Sequence, residues 1–89
     1  MSNLVMDMVK AGAKIVDVRT PDEFQDGAYP GAVNIPVSEL GRRLAEVPRN
    51  VPIIVYCASG ARSAAAAQFL RKSGYAEVVN AGGLDEMPQ

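Results

Sequence analysis

The stretch PIIVYCASGARSAAAAQFL, residues 52–70, decides the fold, because a loop of small residues joins an apolar run to a helix-forming run. The apolar run predicts a buried strand over residues 52–56. The alanine-rich run predicts a helix over about residues 63–73, which Gly74 closes in the left-handed conformation. A strand that passes directly into a helix is the repeating unit of α/β proteins with parallel sheets.

The rest of the chain repeats this alternation of strand and helix. Short runs rich in β-branched residues predict three further strands, at 14–18, within 29–36 and at 76–81. Start signals predict three further helices: 4–11 capped by Asn3, 21–26 capped by Thr20, and 39–46 capped by Ser38. Residues 82–89 predict a turn and the start of a short helix. The pattern predicts an α/β three-layer sandwich, in which a small parallel sheet of about four strands is flanked by helices on both faces.

Length and composition exclude several classes of protein. A chain of 89 residues with 48% hydrophobic and 21% charged residues is typical of one globular domain, here 1–89. A net charge of -1 and a pI near 5.2 argue against a nucleic-acid partner. No run approaches the roughly 18 apolar residues that span a membrane. Because the N-terminal residues 1–10 lack a basic segment, we expect a cytoplasmic protein, or a periplasmic one if a signal peptide has been removed.

The chain has one cysteine and no histidine, which restricts the chemistry open to it. An internal disulfide, a cysteine-based zinc site and Cys-His or Ser-His catalysis are all excluded. Cys57 leaves the predicted strand at its carboxyl end, where parallel sheets place their ligand sites. The small residues that follow are Ala58, Ser59, Gly60 and Ala61.

Such a loop can curl tightly and turn its amides inward as an anion-binding nest, beside the positive end of the next helix. We therefore expect Cys57 to have a pKa below the free value of about 8.5 and to act as a nucleophile or sulfur carrier. The alternative is a buried structural thiol.

Several polar residues around the loop are candidates for binding or structural roles. Arg62, a cation at a helix start, predicts an anionic ligand or a carboxylate partner. Ser59 either donates to a bound oxyanion or stabilises the turn, and Ser63 is expected to cap the helix. Near the site, Asp17 is expected to accept backbone N–H bonds and Arg19 to pair with Glu23. Whether Arg42 or Arg43 faces the pocket stays open.

Four segments, taken in order, resemble the single-domain rhodaneses, and most closely the small phage-shock-type members. They are IVDVRTPDEF at 15–24, GAYPGAVNIP at 27–36, VYCASGARS at 55–63 and GYAEVVNAGGL at 74–84. The resemblance implies a rhodanese-like domain across the chain and thiosulfate sulfurtransferase activity. In that reaction Cys57 takes the outer sulfur of thiosulfate, expels sulfite and passes the sulfur to a thiol or a thioredoxin-like protein. The resemblance implies no metal and no organic cofactor. The oligomeric state stays open, with a monomer as the default.

The loop departs from the family pattern in ways that keep alternatives open. Ala58 stands where many family loops have a basic residue, Ala28 where a histidine is usual, and Met87 where a tryptophan is common. A non-catalytic binding or regulatory module of the same fold is one alternative. A cysteine phosphatase or arsenate reductase is another, but phosphatases need C-x5-R and the spacing from Cys57 to Arg62 is C-x4-R.

Overall fold

The computed structural model describes residues 3–88, which form a four-stranded, wholly parallel sheet with helices on both faces. The strands are β1 (Lys14–Asp17), β2 (Val33–Asn34), β3 (Ile53–Cys57) and β4 (Val78–Gly83), in the order β2-β1-β3-β4. The helices are α1 (Asn3–Lys10), α2 (Pro21–Gln25) and α3 (Ala61–Lys72). The predicted α/β class, the four strands and their parallel arrangement are confirmed.

The central strand β3 supplies both hydrophobic cores, because its side chains alternate between the two faces of the sheet and all five residues are buried. On one face Ile53, Val55 and Cys57 pack with α3 and with the segment before β3. On the other face Ile54 and Tyr56 pack with α1 and with a 3-10 turn at Leu84–Glu86. The sheet is therefore the middle of three layers, and β3 is one of its two interior strands.

The helix signals are confirmed at some positions and wrong at others. Thr20 caps α2 in a capping box with Glu23, as predicted. Helix α3 begins two residues before Ser63, since the chain turns at Gly60 and the helix starts directly after it. Gly74 ends α3 with a φ of +98°, as expected. The predicted cap by Asn3 depends on a side chain outside the described part of the structure.

The predicted helix at 39–46 is wrong. The segment forms two separate 3-10 turns, Val37–Glu39 and Leu44–Glu46, and Ser38 lies inside the first turn rather than capping a helix. Leu40, in this segment, is buried in the core. The interior glycine, Gly41, disfavours a continuous helix, and tight turns bury the same apolar side chains without one.

A buried polar network joins β1 to β3 at the carboxyl edge of the sheet. The carboxylate of Asp17, which is fully buried, accepts hydrogen bonds from the backbone N–H and guanidinium of Arg19 and from the hydroxyl of Tyr56. The Tyr56 oxygen in turn accepts a bond from the amide of Tyr29 at 3.0 Å. Asp17 thus accepts a backbone N–H as predicted, whereas the predicted partnership of Arg19 with Glu23 is wrong.

No helix among residues 3–88 is long and apolar enough to cross a membrane.

We predict that Asp17→Asn lowers the free energy of unfolding by about 3–5 kcal/mol, because it leaves the buried Arg19 guanidinium without its counter-charge. Urea denaturation followed by circular dichroism measures this loss. Glu46→Gln is the matched control, since Glu46 also pairs with an arginine but is half-exposed. The control should lose less than about 1 kcal/mol. An equal, small loss in both variants would contradict a dominant role for the buried network.

Candidate active site

The site is the loop between β3 and α3, where the chain curls back around the sulfur of Cys57. The Cys57 side chain is buried, with 1% of the residue exposed. The amide of Gly60 donates to Sγ at 2.9 Å and the amide of Ser63 donates at 3.4 Å. The predicted nest of amides is therefore present around the thiol. Both donors lie at the start of α3, since Gly60 directly precedes the helix and Ser63 is in its first turn.

Two glycines let the backbone approach the sulfur this closely. Gly60 has a φ of +106°, a conformation that side chains rarely adopt, and it turns the loop into the start of α3. Gly83 lies beside Cys57 in the register of β3 and β4. A Cβ added at Gly83 would collide with the carbonyl oxygen of Ala58. The end of β4 therefore fits against the loop only because it has no side chain there.

Ser63 contacts the sulfur rather than capping the helix. Its hydroxyl lies 3.3 Å from the Cys57 sulfur, 2.6 Å from the side-chain oxygen of Asn80 and 3.2 Å from the carbonyl oxygen of Gly60. Asn80 also donates to the Gly60 carbonyl at 3.3 Å. Since a hydroxyl has one proton, the sulfur, the Asn80 oxygen and the Gly60 carbonyl compete for it.

Asn80 is the functional neighbour that the sequence analysis missed. It pairs with Val55 directly before a bulge, where residues 81–82 of β4 lie opposite the single β3 residue Tyr56. Such a bulge redirects side chains at the edge of a site. The signal in the sequence was an asparagine inside an otherwise apolar strand, where asparagine is uncommon.

The hydrogen bonds set the protonation state of the thiol. Burial raises the pKa of Cys57, but the hydroxyl of Ser63 and the amides around the sulfur lower it further than burial raises it. The resulting pKa is about 7, below the usual value for a thiol. The lowered pKa favours the thiolate near neutral pH, and no histidine is needed for this.

Arg62, the cation of the loop, is held by a carboxylate. Its Nη1 and Nη2 atoms donate to the two oxygens of Glu23 at 2.7 and 3.0 Å. The carboxylate partner that the sequence offered as one possibility for Arg62 is thus Glu23, on α2. Hydrogen bonds from Arg62 and from the Thr20 backbone lower the pKa of Glu23 to about 2. The hydrogen bonds to Glu23 are the main cause that raises the pKa of Arg62, and the charge of Cys57 adds a smaller contribution in the same direction.

The remaining predicted loop residues form the rim of the site. Ala58, Ser59 and Ala61 are exposed, and the Ser59 amide also lowers the pKa of Cys57. The side chain of Arg43 is engaged elsewhere, because it pairs with Glu39 and Glu46. The arrangement holds a stabilised, buried thiolate beneath a loop whose small side chains are exposed. It can attack an electrophilic sulfur and hold the product anion by backbone amides.

Comparison with known proteins places these features in a family. The model of the rhodanese-like domain matches residues 2–87. The chain is 42% identical over 86 residues to uncharacterized protein YqhL of Bacillus subtilis, covering 93% of this chain and 68% of YqhL. It is 42% identical over 74 residues to thiosulfate sulfurtransferase PspE of Escherichia coli, covering 81% of this chain and 71% of PspE. A solved structure described as a rhodanese with anions from E. coli superposes with a TM-score of 0.80 at 38% identity, covering 86% of this chain and 95% of that one.

We predict that Ser63→Ala raises the pKa of Cys57 by about one unit, because a hydrogen bond to a charged group is worth about 1.5–3 kcal/mol and the Ser63 proton is shared. The pH dependence of the rate of alkylation by iodoacetamide measures this pKa. The wild-type rate should reach half its maximum near pH 7. The variant should do so at a higher pH and should react more slowly at neutral pH, since less of its thiol is ionised.

Ser59→Ala is the control for this experiment, since it removes a hydroxyl from the same loop but keeps the amide. Its alkylation profile should match that of the wild type. Identical profiles for all three proteins would show that the Ser63 hydroxyl does not stabilise the thiolate.

Proposed function

The chain belongs to the rhodanese-like domain family, and we propose that it transfers sulfane sulfur from thiosulfate to a thiophilic acceptor through a persulfide on Cys57. Its relatives support sulfur transfer in general as the reaction. The observation that carries the proposal is the pair of amide hydrogen bonds, from Gly60 and Ser63, to the Cys57 sulfur. They stabilise the thiolate on the Cys57 sulfur, the nucleophile of the reaction. The persulfide carries its charge on the outer sulfur, which in this proposal lies against the amides of the same loop.

In the first step, the Cys57 thiolate attacks the outer sulfur of thiosulfate. A bond forms between the two sulfur atoms, the bond to the sulfonate sulfur breaks, and its electron pair leaves with sulfite. The charge is conserved, because a thiolate and a dianion give a persulfide anion and a dianion. In this proposal Arg62 attracts the donor, and the loop amides hold the new outer sulfur.

In the second step, an acceptor attacks the outer sulfur and releases the Cys57 thiolate. Cyanide would give thiocyanate, and a thiolate would give its own persulfide. We propose a thiol or a reduced thioredoxin-like protein as the acceptor. The exposed, small side chains at Ala58 and Ala61 support this choice, because they leave the loop open to a large partner. The loop also suits one added sulfur atom better than a phosphoryl group, since the spacing of Cys57 and Arg62 is C-x4-R.

We predict that incubation with thiosulfate adds the mass of one sulfur atom to the protein and that a mild reductant removes it. Intact-protein mass spectrometry measures the change, and fragmentation locates it on Cys57. Cys57→Ser should keep the fold and gain no sulfur, since an alcohol of normal pKa is not a nucleophile under these conditions. Ser59→Ala, in the same loop, should gain sulfur like the wild type.

Two results would contradict the proposal. Sulfur transfer that persists in Cys57→Ser would exclude this cysteine as the carrier. A wild-type protein that reacts with iodoacetamide but gains no sulfur, and that hydrolyses p-nitrophenyl phosphate, would indicate a phosphatase instead.

A further inference from the structure

The loop that would receive a dianionic donor carries no uncompensated positive charge. Residues 57–63 contain one charged side chain, Arg62, and Glu23 binds it with both carboxylate oxygens. The neighbouring Arg19 is likewise neutralised, because it forms an ion pair with the buried Asp17. When Cys57 is a thiolate, the sum of these five groups is negative. An approaching anion therefore meets repulsion unless one of the ion pairs opens.

The Glu23–Arg62 pair can open, whereas the Asp17–Arg19 pair cannot open easily. The side chains of Arg62 and Glu23 are 37% and 35% exposed, and water can solvate both when they separate. The side chains of Arg19 and Asp17 are 8% and 0% exposed, so separating them would leave buried charges unpaired. Arg62 is thus the cation that a donor can recruit, and Glu23 is the group that the donor must displace.

We infer that Glu23 is a specificity-determining residue, which competes with the donor's anionic group for Arg62 and so favours sulfur donors of low negative charge over thiosulfate. This inference rests on the proposed function, since it concerns the donor of the same Cys57 reaction. Thiosulfonates and persulfides, which carry a single negative charge, are the donor class that the site fits best. Thiosulfate carries two negative charges, so the site binds it less favourably than it binds donors with one charge.

Methanethiosulfonate is the probe of lower charge, because it has the same outer sulfur as thiosulfate but one negative charge fewer. The Cys57 thiolate takes that sulfur and the S–S bond of the donor breaks. Its electron pair leaves with methanesulfinate. Both donors leave the same persulfide on Cys57, so thiocyanate formation with cyanide follows both reactions.

The test is Glu23→Gln assayed with both donors. Glutamine keeps the side-chain oxygen that accepts the Thr20 backbone bond, so the capping box of α2 survives. We expect kcat/KM for thiosulfate to rise about fivefold, through a lower KM, the change expected from one half-exposed ion pair. For methanethiosulfonate the rise should be about twofold, because its charge is half as large. The kcat values should stay within about twofold of the wild type.

Glu46→Gln is the matched control, because it also converts an arginine-bound carboxylate to an amide and changes the net charge equally. This control should leave kcat/KM unchanged for both donors. In the background of Arg62→Gln, the Glu23 substitution should lose most of its effect, since no cation is left to release.

Four outcomes would overturn the inference. A higher KM for both donors in Glu23→Gln would show that Glu23 holds Arg62 in its working position. An equal gain for both donors, or the same gain in Glu46→Gln, would show a general charge effect. A fivefold gain that persists without Arg62 would show that Glu23 acts by repulsion alone. Sulfur uptake by the wild-type protein distinguishes these outcomes from a failure of the proposed function. A wild-type protein that takes sulfur from neither donor would refute both the proposed function and the role of Glu23.

Discussion

The position of the end of β3, between β1 and β4, is the constraint on which the rest of the molecule depends. Its last two residues face opposite sides of the sheet. Tyr56 points into one core, where its hydroxyl completes the bonds of Asp17, and Cys57 points into the other, beneath the loop. Tyr56 and Cys57 are adjacent residues of one strand. The hydrogen-bond network that holds β1 against β3 through Tyr56 therefore also fixes the position of the Cys57 sulfur relative to the loop. The register pairs Asp17 with Tyr56, and Gly83 with Cys57, on either side of that point.

A thiolate without histidine follows from this geometry. The strand brings the sulfur to the place where the loop amides converge, and the bulge in β4 brings Asn80 to the hydroxyl that bonds the sulfur. Burial alone would raise the pKa of Cys57, so the lowered value depends on the hydrogen bonds to the sulfur. Rigid neighbours supply that accuracy: a glycine turn, a packed strand end and a helix start. The cation near the sulfur contributes less, because Glu23 already neutralises it.

Local sequence patterns correctly predicted the features that depend on residues near in sequence. They failed for features that depend on contacts between residues distant in sequence. The apolar run of β3, the cap at Thr20 and the closing turn at Gly74 are local, and all three are confirmed. The prediction of a helix at 39–46 failed because the hydrophobic pattern does not distinguish a helix from two tight turns that also place Leu40 and Leu44 against the core. The partners of Arg19 and Ser63 failed for another reason. The partners of Arg19 and Ser63 depend on which residues the fold brings close to them. The spacing of residues in the sequence does not show those contacts. Motif order identified the loop as a whole, but only the structure paired Arg62 with Glu23.

The most direct test of the account is a crystal structure of the protein after reaction with thiosulfate. The account predicts one extra atom bonded to the Cys57 sulfur at about 2.05 Å. That atom should lie inside the loop, within hydrogen-bond distance of at least two backbone amides of residues 58–63, and the Gly60 turn should be unchanged. A persulfide that points away from these amides into solvent, or a loop that must unfold to accommodate it, would contradict the claim that the amide nest holds the reaction's anions.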